Sequence, residues 1–393
     1  MKKILLMVPM LHQGGFERVC IKTAKLLQAS CQVAILIFDD ADIAFDTSGL
    51  EVINLDMGST DQPLKKAWNV YRRVRKVRQI KKEKQIDICY SFGLTANLVN
   101  ALSRAQEQVW VGLRGFLDLE SKVYPIFARR ADKIICCAKM IERQVHRDYP
   151  EKDAVTIYNS FDFSRIEVLT SEERMESAMS ETEKAFYEGK KVVISAGRDD
   201  DIKGFWHLLR SFSALAAKVP EARLVIMGEG EFASDRAFAK MLGIEDKVLF
   251  TGVRTNPFAY MKHANVYALT SLSEGFPNGL VEAMALPLPV IAANCPSGPA
   301  EILMGHAIDV VDTHKVYDGG YGILIPEFSS VKEVSKRELE PEEEILEQQL
   351  YRLLTDEQLS QRYAERGLKR AREFSEENYL RELLKNMEPE VKC

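Results

Sequence analysis

The stretch VYALTSLSEGFPNGLVEAMALPLPVIAA, residues 266–293, holds the pattern on which the predicted fold rests. An apolar run of strand length leads into a loop rich in Gly, Pro and Asn, and a helical run and a second apolar strand follow. This order is typical of a parallel β-α-β unit. In such a unit the end of the first strand and the start of the helix lie at the same edge of the sheet, where α/β proteins bind their ligands.

The same alternation continues on both sides of this stretch. In the second half of the chain it predicts strands at 192–196, 224–228, 248–250, 266–270 and 289–293, and helices at 205–218, 234–242, 257–262 and 279–286. In the first half it predicts a helix at 16–29 and strands at 4–8, 33–38, 52–55, 86–90, 109–113, 133–136 and 155–158. The fold class is therefore α/β, with two mostly parallel sheets.

Two domains are also expected from the length, because one core rarely exceeds about 250–300 residues and the chain has 393. We predict Rossmann-like domains at 1–165 and 166–370 that face each other across a cleft. The acidic, helix-prone segment 171–189 is expected to bridge them.

Composition indicates a globular protein of the cytoplasm. Hydrophobic residues make up 46% of the chain and charged residues 28%, which is an ordinary globular balance. The seven cysteines form no CxxC pair, which argues against a zinc site or a disulfide framework. The N-terminal MKKILLMVPML is predicted to be a buried strand rather than a signal peptide, because no small-residue cleavage site follows it. No apolar run reaches the ~20 residues that span a bilayer.

Charge is distributed unevenly. Residues 1–165 carry 26 Lys and Arg against 19 Asp and Glu, whereas the remainder carries 27 against 39. The segment 65–84 concentrates ten Lys and Arg with one acid. Five apolar residues recur within it at helical spacing: Trp68, Tyr71, Val74, Val77 and Ile80.

We predict that this segment is a helix that docks its apolar stripe on the sheet and presents a cationic face to an anionic membrane surface. The alternative is a solvated helix face without a partner. Nucleic acid is not the expected partner, because no platform of stacking aromatic residues accompanies the charge. The expected location is therefore cytoplasmic, with peripheral contact to the inner face of the membrane.

Two glutamates flank the predicted start of the helix at 279–286. Glu274 lies on the loop after a strand, where a carboxylate can accept hydrogen bonds from sugar hydroxyls. Glu282 lies in the next helix, where a carboxylate can accept from a ribose. Between them, the backbone N–H groups near Gly279 and Leu280 and the positive end of the helix dipole favour a phosphate. The alternative is an ordinary helix start with solvated acids.

Two cations follow another predicted strand end. Arg198 comes directly after the strand at 192–196, and Lys203 comes just before the next helix. Together they can neutralise a diphosphate, which Arg can hold with two parallel hydrogen bonds. The alternative is surface charge balance against the three aspartates at 199–201.

Gly14 and Gly15 follow the first predicted strand. Glycine lets the backbone approach a ligand closely, and the helix start behind it favours an anion. Many Rossmann-like domains begin in this way, so a nicotinamide dinucleotide enzyme stays open as an alternative, although the pattern is not GxGxxG.

The chain resembles the retaining glycosyltransferases of family 4 in an ordered set of motifs: SAGRDDDIKGF (195–205), LVIMGEGE (224–231), LFTGV (249–253) and SEGFPNGLVEAMALPLPVIAA (273–293). The N-terminal strand followed by GGFERV (14–19) is similar to that family's opening. The pair CPSGPAEIL (295–303) and YGILIP (321–326) resembles a bacterial branch that builds cell-surface glycans.

The resemblance implies the GT-B architecture, with a last helix at 375–387 that returns onto the first domain. It implies a catalytic group of Arg198, Lys203 and Glu274, in which the cations bind the donor diphosphate and the carboxylate contacts the donor sugar. The residues that it implies for binding the donor's phosphates, ribose and base are Gly14, Gly15, Arg198, Lys203, Val253, Arg254, Glu274, Asn278, Gly279, Leu280 and Glu282. Many relatives carry a histidine after the fifth strand of the first domain, where this chain has Arg114 and Gly115.

The implied reaction moves a hexose or N-acetylhexosamine, with retention, from a nucleotide-diphosphate sugar to a hydroxyl of a glycan or lipid-linked acceptor in cell-surface polysaccharide synthesis. Several members of that branch use UDP-linked sugars. Three alternatives stay open: a sugar-nucleotide epimerase or other non-transferase GT-B enzyme, a nicotinamide dehydrogenase, and a non-catalytic scaffold. No cofactor or metal is expected, because the six histidines lack ligand spacing and the two cations supply the charge of a metal. The segment 199–201 nevertheless contains a DxD pattern.

Overall fold

The computed structural model of the chain describes residues 1–12, 14–41, 43–58, 62–305, 312 and 314–388. The chain forms two compact units, Met1–Ser160 with Glu376–Cys393, and Phe161–Ser375. The division after Ser160 falls slightly before the boundary that the sequence predicts at 165.

The first unit is built on a sheet of seven parallel strands. The strands are β1 (Lys3–Met7), β2 (Gln32–Ile37), β3 (Glu51–Asn54), β4 (Ile88–Phe92), β5 (Gln108–Leu113), β6 (Lys133–Cys136) and β7 (Asp153–Thr156). The helices are α1 (Gly15–Leu27), α2 (Pro63–Lys84), α3 (Leu94–Leu102), α4 (Tyr124–Arg130), α5 (Lys139–Asp148) and the last helix of the chain, α16 (Glu376–Met387). The strand order is β3-β2-β1-β4-β5-β6-β7, so the α/β prediction is confirmed for this unit.

Alternate side chains of β1 point to opposite faces of this sheet, as strand geometry requires. Ile4 and Leu6 belong to one apolar cluster, which includes residues of α1 and α16. Leu5 and Met7 belong to another cluster, which includes residues of α2 and α3. Helices therefore cover both faces of the first sheet.

Helix α16 is part of the first unit although it follows the second unit in sequence. Tyr379, Leu383 and Met387 are buried in the cluster that holds Ile4 and Leu6. The hydroxyl of Tyr379 lies 2.6 Å from Oγ1 of Thr23 on α1. An amphipathic helix joins the core here through its apolar face, and buried hydrogen bonds of Tyr379 add to this packing.

The second unit has a seven-stranded sheet of the same kind. Its strands are β8 (Lys191–Ala196), β9 (Ala222–Met227), β10 (Val248–Gly252), β11 (Val266–Leu269), β12 (Val290–Ala293), β13 (Tyr317–Asp318) and β14 (Ile323–Ile325). Its helices are α6 (Phe163–Leu169), α7 (Glu172–Glu176), α8 (Glu181–Tyr187), α9 (Phe205–Lys218), α10 (Ala233–Leu242), α11 (Pro257–Lys262), α12 (Asn278–Ala285), α13 (Pro299–Met304), α14 (Pro341–Thr355) and α15 (Glu357–Arg372). The order is β10-β9-β8-β11-β12-β14-β13, and only β13 pairs antiparallel.

This order places the switch point of the second sheet between β8 and β11. The chain moves outward from β8 to β9 and β10 in one direction, and from β11 to β12 and β14 in the other. In open α/β sheets the loops at the carboxyl ends of the two strands flanking such a point separate and leave a crevice for ligands. The five predicted strands of this unit are confirmed, whereas the short β13 and β14 have too few residues for periodicity to reveal them.

The prediction that segment 171–189 bridges two domains is wrong. The segment forms α7 and α8 and lies within the second unit. Met179 and Tyr187 are buried there, and Glu183 pairs with Arg254 at 2.5 Å. The acidic composition reflects a solvated face, while the few apolar residues of the segment join the core.

The prediction for α2 needs a correction as well. Val77 and Ile80 are buried and dock the second half of the helix, as expected. Trp68 and Tyr71, however, are 59% and 50% exposed, so the apolar stripe does not lie on the sheet along its whole length. In the part of the chain that the structure describes, no helix is both long and apolar enough to cross a bilayer.

Candidate functional site

Two of the predicted catalytic side chains contact each other directly. Lys203 ends a short 3-10 turn after β8, and Glu274 lies on the loop after β11, so both stand next to the switch point. Nζ of Lys203 lies 2.7 Å from Oε1 of Glu274, and the hydroxyl of Ser271 donates to the same oxygen at 2.7 Å. The two charged side chains are only 19% and 11% exposed. Because the pair is largely removed from water, each charge depends on the other for compensation.

The backbone fixes the position of this ion pair. The amide of Leu272 donates to the carbonyl of Ile202 at 2.8 Å, and the hydroxyl of Thr270 donates to the carbonyl of Lys203 at 3.0 Å. Gly204 follows with a φ of 61°, and a Cβ there would lie 2.3 Å from the carbonyl oxygen of Thr270. Glycine is therefore required both for the left-handed conformation and for the close approach.

Arg198 stands at the same sheet edge but in a different environment. Its side chain is 66% exposed, and its guanidinium lies 3.8 Å from the carboxylate of Asp200. At this distance and exposure the contact contributes little to stability. Arg198 is thus exposed to solvent, whereas the ammonium of Lys203 is largely buried against Glu274.

The three aspartates after Arg198 bind three different partners. Asp199 accepts a hydrogen bond from the amide of Phe232 at 2.7 Å, which joins this loop to the loop after β9. Asp200 accepts from the amide of Ile202 at 3.1 Å. Asp201 pairs with Lys332 at 2.6 Å. Each carboxylate thus has a local structural role.

The start of α12 lies beside the loop that carries Glu274. Asn278 and Gly279 are its first two residues, and Glu282 is its fifth, half-buried in the second turn. The amide of Leu280 already donates to the carbonyl of Pro277 at 3.1 Å. The Gly279 amide is therefore the better placed of the two predicted backbone donors for a phosphate.

Val253 and Arg254 follow β10. Val253 is 50% exposed. The guanidinium of Arg254 pairs with Glu183 at 2.5 Å and lies 5.5 Å from the ring centre of Tyr260. Because that side chain is used inside the unit, a contact of this segment with a base rests on its backbone and stays a prediction.

The glycine turn of the first unit contains an acidic neighbour. Gly14 precedes α1, and Gly15 is the first residue of this helix. The carboxylate of Glu17 folds back so closely that a Cβ on Gly14 would lie 2.1 Å from Oε2 of Glu17. Glu17 itself is buried. A carboxylate beside this turn opposes the binding of a second anion, so the roles of Gly14 and Gly15 stay predictions.

Comparison with known proteins places this geometry in a family. The family model described as Glycosyl transferases group 1 matches residues 179–310, and the model described as Glycosyltransferase Family 4 matches residues 13–165. The chain belongs to the family-4 glycosyltransferases. The GT-B fold with two Rossmann-like domains follows from this membership and from the two sheets.

Two relatives illustrate how far the similarity extends. An uncharacterised glycosyltransferase of Methanocaldococcus jannaschii is 31% identical over 267 residues, which cover 66% of this chain and 64% of that protein. The chain is also 24% identical, over 98% of its length and 99% of the relative, to the N-acetylgalactosamine-N,N'-diacetylbacillosaminyl-diphospho-undecaprenol 4-alpha-N-acetylgalactosaminyltransferase of Campylobacter jejuni.

Solved structures support the fold of this family-4 chain. HepE of Anabaena, in complex with UDP and glucose, superposes with a TM-score of 0.74 at 19% identity, over 98% of this chain and 99% of that one. WaaG, a glycosyltransferase of lipopolysaccharide biosynthesis, gives a TM-score of 0.70 at 16% identity, over 97% of this chain and 98% of the other.

Two serines of the site were not predicted from the glycosyltransferase motifs. Ser271 donates to Glu274, and its signal in the sequence is a polar residue just after a buried strand. Ser297 is buried with a φ of 71°, and its hydroxyl donates to the carbonyl of Gly275 at 2.8 Å. A left-handed conformation is unusual for serine, and no sequence pattern signals it here.

Arg114 lies directly after β5, at the position where the family resemblance leads us to expect a histidine. Its guanidinium donates to the hydroxyl of Tyr90 and to Oδ1 of Asn159, and it lies 5.1 Å from the ring centre of Phe92. The backbone amides of Arg114 and Gly115 both donate to the same carboxylate oxygen of Asp118, Oδ2. This cation thus connects the carboxyl ends of β4 and β5 with the segment after β7.

Within the described ranges, one group of side chains has the spacing of a metal site: His207, Glu340 and Glu343. Nδ1 of His207 lies 2.6 Å from Glu343, and Nε2 of the same ring lies 2.9 Å from the carbonyl of Ser329. The guanidinium of Arg210 contacts both oxygens of Glu343, at 2.7 and 2.9 Å. A cation already compensates this carboxylate, so we interpret the group as a buried polar connection between α9 and α14.

Asp235, whose carboxyl group is influenced by Asp199 and Asp201, gives a prediction about pH. Burial raises the pKa of Asp235, on α10, from 3.8 to about 6, with smaller contributions from Asp199 and Asp201 and an opposing one from Lys332. Because the folded state holds this proton more tightly than the unfolded state, the free energy of unfolding falls as pH rises from about 4 to 6 and stays lower above that.

We therefore expect Asp235→Asn to raise the free energy of unfolding by about 1 to 3 kcal/mol at pH 7.5 and by much less at pH 4. Thermal unfolding followed by circular dichroism at both values measures this. Asp246→Asn, which changes an exposed carboxylate, is the control and should give no gain that depends on pH. A gain for Asp235→Asn that is equal at the two pH values would contradict the assignment.

Proposed function

We propose that this chain is a retaining glycosyltransferase that moves a hexose or N-acetylhexosamine from a UDP-linked donor to a hydroxyl of a glycan or lipid-linked acceptor in cell-surface polysaccharide synthesis. The observation that carries the proposal is the contact of Lys203 with Glu274 beside the start of α12. It puts a cation, a carboxylate and a helix N-terminus at one switch point, as a sugar diphosphate requires.

The relatives support the class of substrate. The Campylobacter jejuni relative is named for transfer to a diphospho-undecaprenol-linked acceptor, and HepE was solved with UDP and glucose. A second Campylobacter jejuni relative, 23% identical over 77% of this chain, is named an alpha-1,4-N-acetyl-D-galactosaminyltransferase that acts on a PP-undecaprenol glycan. A UDP-sugar donor and a lipid-linked acceptor fit this pattern.

Both partners of the ion pair keep hydrogen-bonding atoms that a ligand can use. The ammonium of Lys203 has three N–H donors, and the contact with Glu274 uses one of them. Both contacts of the Glu274 carboxylate use Oε1, so Oε2 can accept a hydrogen bond from a sugar hydroxyl. We propose that Lys203 and the exposed Arg198 bind the diphosphate, while Glu274 orients the sugar.

In the proposed reaction the bond between the sugar's anomeric carbon and the diphosphate oxygen breaks, and the acceptor oxygen forms its bond on the same face. The departing phosphate takes the proton of the acceptor hydroxyl. Lys203, Arg198 and the Gly279 amide stabilise the negative charge that develops on the leaving group. The contribution of the protein is therefore positioning and electrostatic stabilisation.

We expect Arg198→Ala and Lys203→Met each to lower sugar transfer by about 10²-fold or more, because each removes charge stabilisation of ~3 kcal/mol. Methionine keeps an aliphatic stem beside Gly197, where a Cβ would lie 3.0 Å from the stem of Lys203. Release of UDP and formation of product, measured with a panel of UDP-sugars and a lipid-linked acceptor, report the rates.

Lys336→Met is the matched control, since it removes an exposed cation of the same unit that pairs with Glu333. This variant should keep transfer within about twofold of the wild type. Near-normal turnover in both site variants would contradict the assignment of Arg198 and Lys203 as the residues that bind the diphosphate. Turnover of the UDP-sugar without an acceptor, with a changed sugar as the product, would instead support an epimerase.

We also propose that transfer needs no divalent metal. The support is that Asp199, Asp200 and Asp201 each bind a different partner and do not converge on one position. We expect full activity in EDTA. Loss of transfer in EDTA that Mn²⁺ restores would contradict this and assign the aspartates as ligands.

A further part of the proposal is that α2 binds an anionic membrane surface and so brings the first unit to a lipid-linked acceptor. The exposed cations of α2 lie on its solvent side: Lys65, Lys66, Arg72, Arg75, Lys76, Arg78 and Lys82. Trp68 and Tyr71 are exposed among them and stack with ring centres 5.4 Å apart. Amphipathic aromatic rings favour the boundary between lipid and water.

Three cations of α2 have structural partners and are not part of this surface. Arg73 is buried and donates to the carbonyls of Met57 and Gly58. Lys81 is buried and pairs with Glu107 at 2.7 Å, and Lys84 pairs with Glu51. A test of membrane binding must therefore leave these three unchanged.

We expect the wild type to sediment with vesicles that contain anionic lipid at low salt and to be released at 1 M salt, where the Debye length falls from ~10 Å to ~3 Å. The variant Arg72→Ser, Arg75→Ser, Lys76→Ser, Arg78→Ser should lose this binding, at about 1 kcal/mol for each charge. The matched control changes four exposed cations of α15 to Ser: Arg362, Arg366, Lys369 and Arg372. If both variants sediment equally, or if the wild type does not sediment, α2 does not bind the membrane and its cationic face is only solvated.

A further inference from the structure

Tyr267, in the middle of the second sheet, has a hydroxyl that the fold does not use. The residue lies on β11 and is fully buried. Its hydroxyl donates no hydrogen bond to any residue in the described part of the chain. The backbone amide of Ala196 lies close enough to lower the pKa of the hydroxyl, but the O–H proton itself has no acceptor in the described residues. Buried polar groups without a partner are rare in native proteins, and each one calls for an explanation.

The hydroxyl lies directly against the start of α12. A Cβ on Gly279 would lie 2.4 Å from the hydroxyl oxygen and 3.4 Å from the ring carbon that bears it. In a helix each Cβ direction tilts toward the N-terminus. The hydroxyl therefore lies beside Gly279 in the first turn of α12, the turn whose backbone amides have no partners within the helix.

The surroundings of this hydroxyl are those of the proposed donor site. Burial raises the pKa of Tyr267, and the carboxylates of Glu274 and Glu282 add to the rise. The raised pKa keeps the phenol neutral, so its O–H stays available as a hydrogen-bond donor. A neutral O–H donor stabilises an anion without the desolvation cost that a buried cation carries.

We propose that the hydroxyl of Tyr267 is a hydrogen-bond donor for the diphosphate bound at the start of α12, which makes Tyr267 a further binding residue of the site. The inference rests on the proposed function, since the anion is the diphosphate of the donor. It also explains Gly279, because any side chain at that position would fill the space of the hydroxyl.

The test compares stability with ligand binding in Tyr267→Phe. Without ligand, the melting temperature should equal or exceed that of the wild type, because the change removes a buried hydroxyl that has no partner. The Kd for UDP, measured by titration calorimetry, should rise about tenfold, equivalent to ~1.4 kcal/mol, while that for uridine, which has no phosphate, should not change.

Tyr187→Phe is the matched control, because Tyr187 is a buried tyrosine of the same unit whose hydroxyl also has no hydrogen-bond partner in the described residues. It should leave the Kd for UDP unchanged. Equal UDP binding by wild type and Tyr267→Phe would overturn the inference and leave the proposed function standing. No UDP binding by the wild type would overturn both. A lower melting temperature of free Tyr267→Phe would show that the hydroxyl has a structural partner and would also overturn it.

A second pair of variants tests the geometry separately from the ligand. Gly279→Ala should lower the melting temperature in the wild-type background, because the new Cβ meets the hydroxyl at 2.4 Å. In the Tyr267→Phe background that contact is gone and the ring carbon at 3.4 Å is an ordinary neighbour, so the loss should be largely recovered. An equal loss in both backgrounds would contradict the contact on which the inference depends.

Discussion

The contact between Lys203 and Glu274 is the interaction on which the candidate site depends. It joins the loop after β8 to the loop after β11, the two strands on either side of the switch point. The backbone hydrogen bonds of Leu272 with Ile202 and the conformation of Gly204 hold the two loops in register. Loops on a sheet edge are otherwise the most mobile parts of an α/β unit. The ion pair therefore positions the two loops. Because it is largely buried, loss of either partner leaves the charge of the other uncompensated.

The sequence predicted the frame of this site well, for physical reasons. Strands such as β8 and β11 are short apolar runs between turn residues, and helices such as α9 and α11 have the bounds that the 3.6-residue period indicates. Arg198, Lys203 and Glu274 were predicted because polar residues at the carboxyl ends of parallel strands meet at one edge. That Lys203 is buried against Glu274 could not be predicted, because the distance depends on how two loops far apart in sequence pack.

Other structural features could not be predicted from the sequence, again because they depend on tertiary packing. The apolar stripe of α2 predicts a docked face, but only tertiary packing decides that Val77 is covered while Trp68 is not. The acidic segment with α7 and α8 has the composition of a linker, but two buried side chains, Met179 and Tyr187, and the pair of Glu183 with Arg254 hold it in the second unit. The left-handed conformation of Ser297 has no signal in the residue type.

The proposed donor site is tested most directly by a crystal structure of the chain with UDP. The account predicts an oxygen of the diphosphate within about 2.7–3.2 Å of both Nζ of Lys203 and the Gly279 amide, the usual hydrogen-bond range. UDP bound elsewhere on the chain, or a diphosphate that contacts neither group while Lys203 stays bonded to Glu274 alone, would contradict it.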